Sequence, residues 1–250
     1  MNYDDKIQAS IRRIQVAAHI AERHGEPLTV CFSGGKDSQV TLHLVQRSGV
    51  PFRAVYNVTT IDHPLNVNFI RKHYPQVEFI HPPLNFWQLC EKKKTLPITT
   101  RRFCCEKLKE YYGNGVIVTG VRREESTKRA DYAIIARDRK KKTKIHFRPI
   151  IDWLEWEVWQ YIEDNGLPVN PCYDFGRRVG CMVCPFAHSK QLIAVFNEFP
   201  NLKRKMLKTI HLLRETSNYA SAYTDKTDEE LLEWWMSKKN IKEYFQPRLF

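Results

Sequence analysis

The sequence predicts an α/β protein, with a mostly parallel sheet flanked by helices and a helical C-terminal region. Three observations carry that prediction. Short apolar, β-branched runs at 28–32, 52–58, 77–80, 116–119 and 145–148 alternate with stretches of helical periodicity. The runs are separated by enough chain for βαβ crossovers, which make neighbouring strands parallel. After Pro149 the strand signals stop and helical segments follow one another.

Taken in order, residues 4–24 carry Ile7, Ile11, Ile14, Ala17, Ala18, Ile20 and Ala21 at helical spacing, which predicts one amphipathic helix ending near Gly25. The first strand, 28–32, leads into a Gly-rich turn and a helix reaching about Gln46, with Gly49 as the stop. A second strand at 52–58, a helix at 66–73 and a short third strand at 77–80 follow. Helices are expected over 86–93 and 102–112, a fourth strand over 116–119 and a fifth over 145–148. The C-terminal helices fall at 153–165, 189–199, 202–216 and 228–239. Trp153, Trp156, Trp159, Trp234 and Trp235 are expected to pack these helices rather than stack on bases. The expected division is a nucleotide-binding α/β domain at 1–150 and a cluster-binding, helical region at 151–250.

The chain has 250 residues, 42% of them hydrophobic, which is enough for a sizeable core and argues against disorder. No segment approaches the length of a membrane span, and Met1 to Lys6 lacks the apolar core of a signal peptide, so a cytoplasmic protein with no membrane partner is expected. A formal net charge of +12 favours a polyanionic partner or an anionic substrate. Residues 137–144 (RDRKKKTK) hold six bases against one acid, as either a solvated loop or a phosphate-backbone contact.

The turn after the first strand reads Ser33-Gly34-Gly35-Lys36-Asp37-Ser38. A tight Gly turn opening a helix aims backbone N–H groups and the positive end of the helix dipole at one spot. Paired glycines let the main chain approach an anion, Ser33 and Ser38 add hydroxyls, and Lys36 adds charge. The expected guest is a nucleotide phosphate. The spacing is neither a Walker A loop nor G-x-G-x-x-G. It resembles the SGGKDS signature of the PP-loop ATP pyrophosphatases, which cut ATP between the α- and β-phosphates.

The fourth strand ends in Thr119-Gly120-Val121-Arg122-Arg123-Glu124-Glu125-Ser126, with Arg129 beyond. Arginines at a strand end suit a second anion, which they can grip by forked hydrogen bonds. Thr119, Gly120, Arg122, Arg123, Ser126 and Arg129 resemble the TG-x-R-R-x-x-S-x-x-R pattern of the adenylyl-sulfate and phosphoadenylyl-sulfate reductases. Thr59-Thr60-Ile61-Asp62-His63-Pro64 is similar to that family's loop after its second strand.

Seven cysteines, an odd number, argue against a disulfide framework. Cys104-Cys105 and Cys181-Met182-Val183-Cys184 together supply four thiolates, a set that suits Zn²⁺ or an iron–sulfur cluster. Arg101, Arg102, Lys107, Arg177 and Arg178 would offset their charge and lower the thiol pKa values. A cubane cluster accepts adjacent cysteines more easily than one Zn²⁺ tetrahedron. The layout resembles the [4Fe–4S] site of the assimilatory adenylyl-sulfate reductases. Cys172 leaves an alternative open, because C-x8-C-x2-C resembles the cluster cysteines of DndC-type proteins of DNA phosphorothioation. Cys105 is preferred over Cys172 as fourth ligand, and Cys31 and Cys90 are expected to be small buried hydrophobes.

These resemblances imply an adenine nucleotide α-hydrolase-like fold in a phosphoadenylyl-sulfate reductase-like enzyme using ATP, Mg²⁺ and a [4Fe–4S] cluster, with Zn²⁺ as the alternative. Reductases of this group also carry a nucleophilic cysteine in an E-C-G-L-H segment near the C-terminus, and no cysteine follows Cys184. The expected activity is therefore adenylation of an acceptor for sulfur transfer rather than sulfonucleotide reduction. Ser33, Gly34, Gly35, Lys36, Asp37, Ser38 and Gly120 would bind the nucleotide together with Arg122 and Ser126. Asp37, Arg122, Arg123 and Arg129 would serve catalysis. A nucleic-acid acceptor and a sulfur-donor protein such as a cysteine desulfurase are the expected partners. Sulfonucleotide reduction by another thiol, or a nucleic-acid-binding protein with a structural Zn²⁺, are the rival expectations.

Overall fold

A computed structural model describes residues 1–110, 115–138, 143–174, 179–216 and 225–245. The chain divides into two compact units. One comprises Met1–Val58, His63–His81 and Tyr111–Gly180, and the other Thr59–Asp62, Pro82–Glu110 and Cys181–Phe250. The division is not a single cut at residue 150, because the chain leaves the sheet after its second and third strands to build the second unit and then returns.

The first unit opens with α1 (Tyr3–Arg23), capped by Asn2, whose side chain accepts from Asp5 N–H at 2.8 Å. Its Ile7, Ile14, Ala17 and Ala21 are buried, as the periodicity predicts. The strands are β1 (Leu28–Cys31), β2 (Phe52–Asn57), β3 (Glu78–Ile80), β4 (Gly115–Val118), β5 (Ile135–Arg137) and β6 (Lys144–Phe147). They form one sheet of order β3-β2-β1-β4-β6-β5, parallel except for the β5–β6 pair. Helices α2 (Lys36–Arg47) and α3 (Pro64–His73) provide the crossovers from β1 to β2 and from β2 to β3, and α5 (Glu155–Asp164) contacts α2. The central strands β1 and β4 are buried except for Cys31 at the end of β1, which explains why they read as continuous apolar runs. Strand β5 escaped the sequence reading because it is a three-residue edge strand with Ile135 and Arg137 exposed.

The strand order fixes where a ligand can bind. From β1 the chain moves outward to β2 and β3, then returns to place β4 on the other side of β1. The carboxyl ends of β1 and β4 therefore flank a topological switch point, the usual ligand crevice of an open α/β sheet.

The second unit is helical. It contains α4 (Phe86–Lys93), a short helical turn at 103–104 that passes into a π-helical turn (Cys105–Lys109), α6 (Ser189–Glu198), α7 (Pro200–Thr216), α8 (Asp228–Ser237) and α9 (Ile241–Phe245). Its core includes Phe86, Leu89, Val183, Phe196, Met206, Ile210, Trp234 and Trp235. Trp153, Trp234 and Trp235 are buried as expected, whereas Trp156 is 56% exposed. Among the described residues no helix is long and apolar enough to cross a membrane. Most of the basic run (139–142), Arg177, Arg178 and the end of the helix expected at 102–112 lie outside the described residues.

Candidate functional site

In the first unit, the SGGKDS turn closes β1 and opens α2. Gly34 sits at φ +79°, and a Cβ there would come within 2.2 Å of Asn66 Oδ1, so only glycine fits. The hydroxyls of Ser33 and Ser38 are 3.1 Å apart, and Ser38 Oγ donates to Gly35 C=O at 2.8 Å. The Lys36 N–H, at the start of α2, donates to the Tyr173 hydroxyl at 2.9 Å.

Buried amides hold the turn from below. Asn170 Nδ2 donates both to Gly34 C=O (2.9 Å) and to Asn66 Oδ1 (2.7 Å). Asn66 Nδ2 donates to Ser33 C=O at 3.2 Å, and Gln39 Nε2 to Gly34 C=O at 3.3 Å. Two carbonyls of the turn are thus fixed, while the N–H groups of Ser33, Gly35 and Lys36 donate to the hydroxyls of Ser38, Ser33 and Tyr173. Sequence reasoning missed Asn66, Asn170, Gln39 and Tyr173, because residues 104 positions apart share no sequence period.

The second motif packs directly on this turn. A Cβ on Gly120 would stand 2.5 Å from Asp37 C=O, so glycine allows β4 to end against the start of α2. Arg122 is 3% exposed; its Nε donates to Asp37 Oδ1 at 2.5 Å and its Nη1 to Glu124 Oε2 at 2.6 Å. Burial works against the Arg122 charge, but Asp37, Glu124 and Glu125 outweigh it and raise its pKa. Arg122 is therefore a positioned ion-pair partner of Asp37, its fork occupied by carboxylates. Lys36 Nζ lies 3.5 Å from Asp37 and 3.2 Å from Glu155, over the rings of Trp159 and Tyr173. Its burial is likewise overcome by Asp37, Tyr173 and Glu155, so the ammonium stays charged. Arg129 pairs with Glu125, exposed Arg123 donates to Tyr132 C=O, and Ser126 is exposed; none of these three side chains joins the turn among the described residues. Thr119 Oγ1, just beyond β4, is buried without a hydrogen-bond partner among the described residues, an orphan of the kind a bound ligand satisfies.

The second unit holds Cys104, Cys105, Cys181 and Cys184, all as thiols rather than disulfides. Cys105 opens the π-helical turn that ends at Lys109. The Thr59–Asp62 loop bridges Asp62 to Cys181, Met182 N–H donates to Ile61 C=O at 2.8 Å, and Cys181 Sγ lies 3.4 Å from Thr59 Oγ1. Lys109 is a cation shared by three of the thiols: Cys181 raises its pKa most, against an opposing burial effect, and Cys105, Cys184 and Asp62 add to it. The hydrogen bond from Cys104 lowers Cys105 to about 6, with Lys109 and Arg102 assisting, while Cys104 is pushed up. Burial raises Cys181, and Lys109 and Thr59 offset part of that. Of the cations expected around the thiols, Arg102 is confirmed as a neighbour, whereas Arg101 donates to Thr95 and Lys107 pairs with Glu106.

Among the described residues no three His, Cys, Asp or Glu side chains are gathered as for a single metal ion. The donor chemistry nevertheless fits a thiolate-ligated cluster, whose four ligands stand further apart than those of one ion. Cys172 is buried in the first unit, its N–H donating to Asn170 Oδ1 at 3.0 Å. Burial pushes the Cys90 thiol up to about 12, consistent with a small core hydrophobe. Cys31, expected to be another, is half-buried at the end of β1.

A glycine turn at the switch point of a sheet ordered β3-β2-β1-β4-β6-β5 defines an α/β protein of the adenine nucleotide α-hydrolase type. Residues 27–187 match the phosphoadenosine phosphosulfate reductase domain family, and the chain belongs to that family. An uncharacterized protein of Methanocaldococcus jannaschii is 30% identical over 82% of this chain and 46% of its own length. An adenosine 5′-phosphosulfate reductase of Staphylococcus haemolyticus is 28% identical over 64% of this chain and 71% of its own. The chain spans only about half the length of two relatives that match it over most of its own, 46% of one and 47% of the other. Among solved structures, phosphoadenylyl-sulfate reductase from Candida auris aligns with TM-score 0.51 at 18% identity, covering 67% of this chain and 87% of that one. This last likeness is one of fold.

Proposed function

We propose that this chain is a sulfur-metabolism enzyme that binds ATP in the SGGKDS turn and cleaves it between the α- and β-phosphates. Cleavage would adenylate an acceptor oxygen for replacement by sulfur. The observation that carries this reading is the rigid turn at the switch point, with Lys36, Asp37 and Arg122 fixed beside it. The N–H groups of the turn and the N-terminus of α2 would receive phosphate oxygens, with Thr119 as a further donor. Asp37 holds Lys36 and Arg122 in place, so the charge facing the phosphates is preorganised. Mg²⁺ carried in by the phosphates needs only one or two protein carboxylates, and Asp37 and Glu155 would supply them by giving up part of their pairing with Lys36 and Arg122.

In balanced form, the acceptor hydroxyl oxygen attacks the α-phosphorus, pyrophosphate leaves, and the hydroxyl proton passes to solvent. Hydrosulfide then attacks the acceptor carbon, AMP leaves with the oxygen, and a thiol remains. Cys104, Cys105, Cys181 and Cys184 would hold a [4Fe–4S] cluster, which supplies a redox-capable centre when bound. Lys109 offsets the negative charge of that thiolate set.

A nucleic-acid acceptor is supported by the net charge of +12 and by exposed Lys203, Arg204, Lys205 and Lys208 on α7. The experiment is mass spectrometry of tRNA and DNA after incubation with ATP, Mg²⁺, sulfide and the reconstituted protein. An ATP-dependent gain of sulfur in place of oxygen supports the reading, and unchanged nucleic acid removes that acceptor. A second reading, sulfonucleotide reduction, is favoured by the Staphylococcus haemolyticus relative. Release of sulfite from adenylyl sulfate with a thiol reductant would establish it instead.

A further inference from the structure

Helix α7 buries Leu202, Met206, Thr209, Ile210 and Leu213 on the face that packs into the second unit. Its charges differ between its two halves. Toward the C-terminus they are matched: His211 lies 3.1 Å from Asp228 and 3.2 Å from Glu215, and Arg214 lies 3.5 Å from Asp228. Toward the N-terminus stand exposed Lys203, Arg204, Lys205 and Lys208, with no acidic residue from Pro200 to Leu213. Lys203 lines a groove together with Glu229 and Glu233 of α8, which offset its charge. Arg204, Lys205 and Lys208 have no carboxylate partner among the described residues, and Arg204 donates to the Asn201 side chain.

These three cations are unfavourable to the fold. The N-terminal half of a helix is the positive end of its dipole, which acids stabilise and bases destabilise. Helices α1 and α8 follow that rule, with Asp4 and Asp5 in one first turn and Asp228, Glu229 and Glu230 in the other. Helix α7 has no acid in its first turn and reverses the rule. Arg204 and Lys208 also stand one turn apart, where like charges repel. A charge cluster that folding disfavours is matched by an anion from outside the chain. At 3.6 residues per turn the three side chains share an arc of about 100°, so one polyanion can touch all of them.

The packing of α7 selects the polyanion. A DNA major groove, about 12 Å wide, takes in a helix whose flanks are clear. Helix α7 is packed against α4, α6 and α8, so only its outer face can meet a ligand and it must lie along a backbone. Contact with phosphates and overall shape is the way duplex RNA is recognised, because side chains cannot read its narrow major groove. We propose that Arg204, Lys205 and Lys208 form a docking face for the sugar–phosphate backbone of a duplex RNA stem. The face deepens the nucleic-acid part of the proposed function, by naming the class of acceptor and the surface that holds it, and rests on that reading.

The test is fluorescence anisotropy of a labelled RNA hairpin titrated with the full chain, without ATP, over a range of salt concentrations. The triple variant Arg204→Gln, Lys205→Gln, Lys208→Gln should bind about tenfold or more weakly. Its plot of log affinity against log salt should flatten by about two to three, the loss of three phosphate contacts. Lys203→Gln should change affinity by less than about twofold. Without RNA the triple variant should melt about 2–4 °C higher, because unfavourable charge has left the start of α7. A DNA hairpin of the same sequence should bind more weakly than the RNA. Unchanged affinity and slope in the triple variant, an equal loss in Lys203→Gln, or a lowered melting temperature would overturn the proposal. Equal binding of the DNA hairpin, or preferred binding to vesicles of anionic phospholipid, would overturn it as well. Because ATP is absent, the result is separable from ATP cleavage. RNA held through α7 by a chain that does not form AMP and pyrophosphate keeps the docking face and removes the adenylation reading. A wild type that forms AMP and pyrophosphate but binds no RNA removes the docking face alone.

Discussion

The phosphate turn and the thiol set solve opposite problems. The turn is made of backbone, and its shape is fixed before any ligand arrives by Gly34, Gly120 and the Asn66–Asn170 pair. Its side-chain charges are already matched, with Asp37 between Lys36 and Arg122. The thiol set is made of side chains on the helical turn at 103–109 and on the segment 181–184, with Lys109 as the cation shared by Cys105, Cys181 and Cys184. Four thiolates would leave a large excess of negative charge. On the proposed reading the first region is preorganised to receive an anion, whereas the second is an anion that a metal centre would complete. On that reading rigidity lies where positioning is needed, and unbalanced charge lies where a cofactor would supply the balance.

The sharpest way to break this contrast is to remove one thiol. Cys181→Ser should reduce iron and acid-labile sulfide to background after anaerobic reconstitution, with ATP affinity unchanged. Full iron retention would remove Cys181 from the ligand set. A somewhat smaller effect is expected from Gly34→Ala, which forces a Cβ into Asn66 at positive φ. A loss of about 3 kcal/mol in urea unfolding is expected, together with loss of nucleotide binding. Wild-type stability in that variant would show that the turn is pliable rather than fixed. The smallest effect concerns the metal-free thiols. Cys105 ionises near pH 6, first through Cys104 and then through Lys109 and Arg102. Its alkylation by iodoacetamide should therefore rise through pH 6 and level off above it, well below the usual thiol value near 8.5. Lys109→Gln should shift the midpoint upward. The sign follows from the thiolate being the reactive form.

Much of the first region is legible in the sequence because its determinants are local. Central strands β1 and β4 read as apolar runs, and Ser33 to Ser38 carry their turn in adjacent letters. The amide network beneath them is not legible, because Asn66 and Asn170 meet only after α3 and the segment following α5 are in place. Arg122 shows the same limit: it can be read as a cation, but its pairing with Asp37 and Glu124 is decided by packing. In the second region the cysteine spacing is legible, while the π-helical turn and the role of Lys109 depend on where the Thr59–Asp62 loop meets Cys181. Edge strand β5 has too little buried surface to leave a pattern.

The central claim is that the turn directs cleavage to one bond of ATP. Incubating the reconstituted protein with ATP, Mg²⁺ and an acceptor, and separating the products by ion-exchange chromatography, tests it directly. The account predicts AMP and pyrophosphate in equal amounts. ADP with inorganic phosphate, or intact ATP under conditions that support binding, would contradict it.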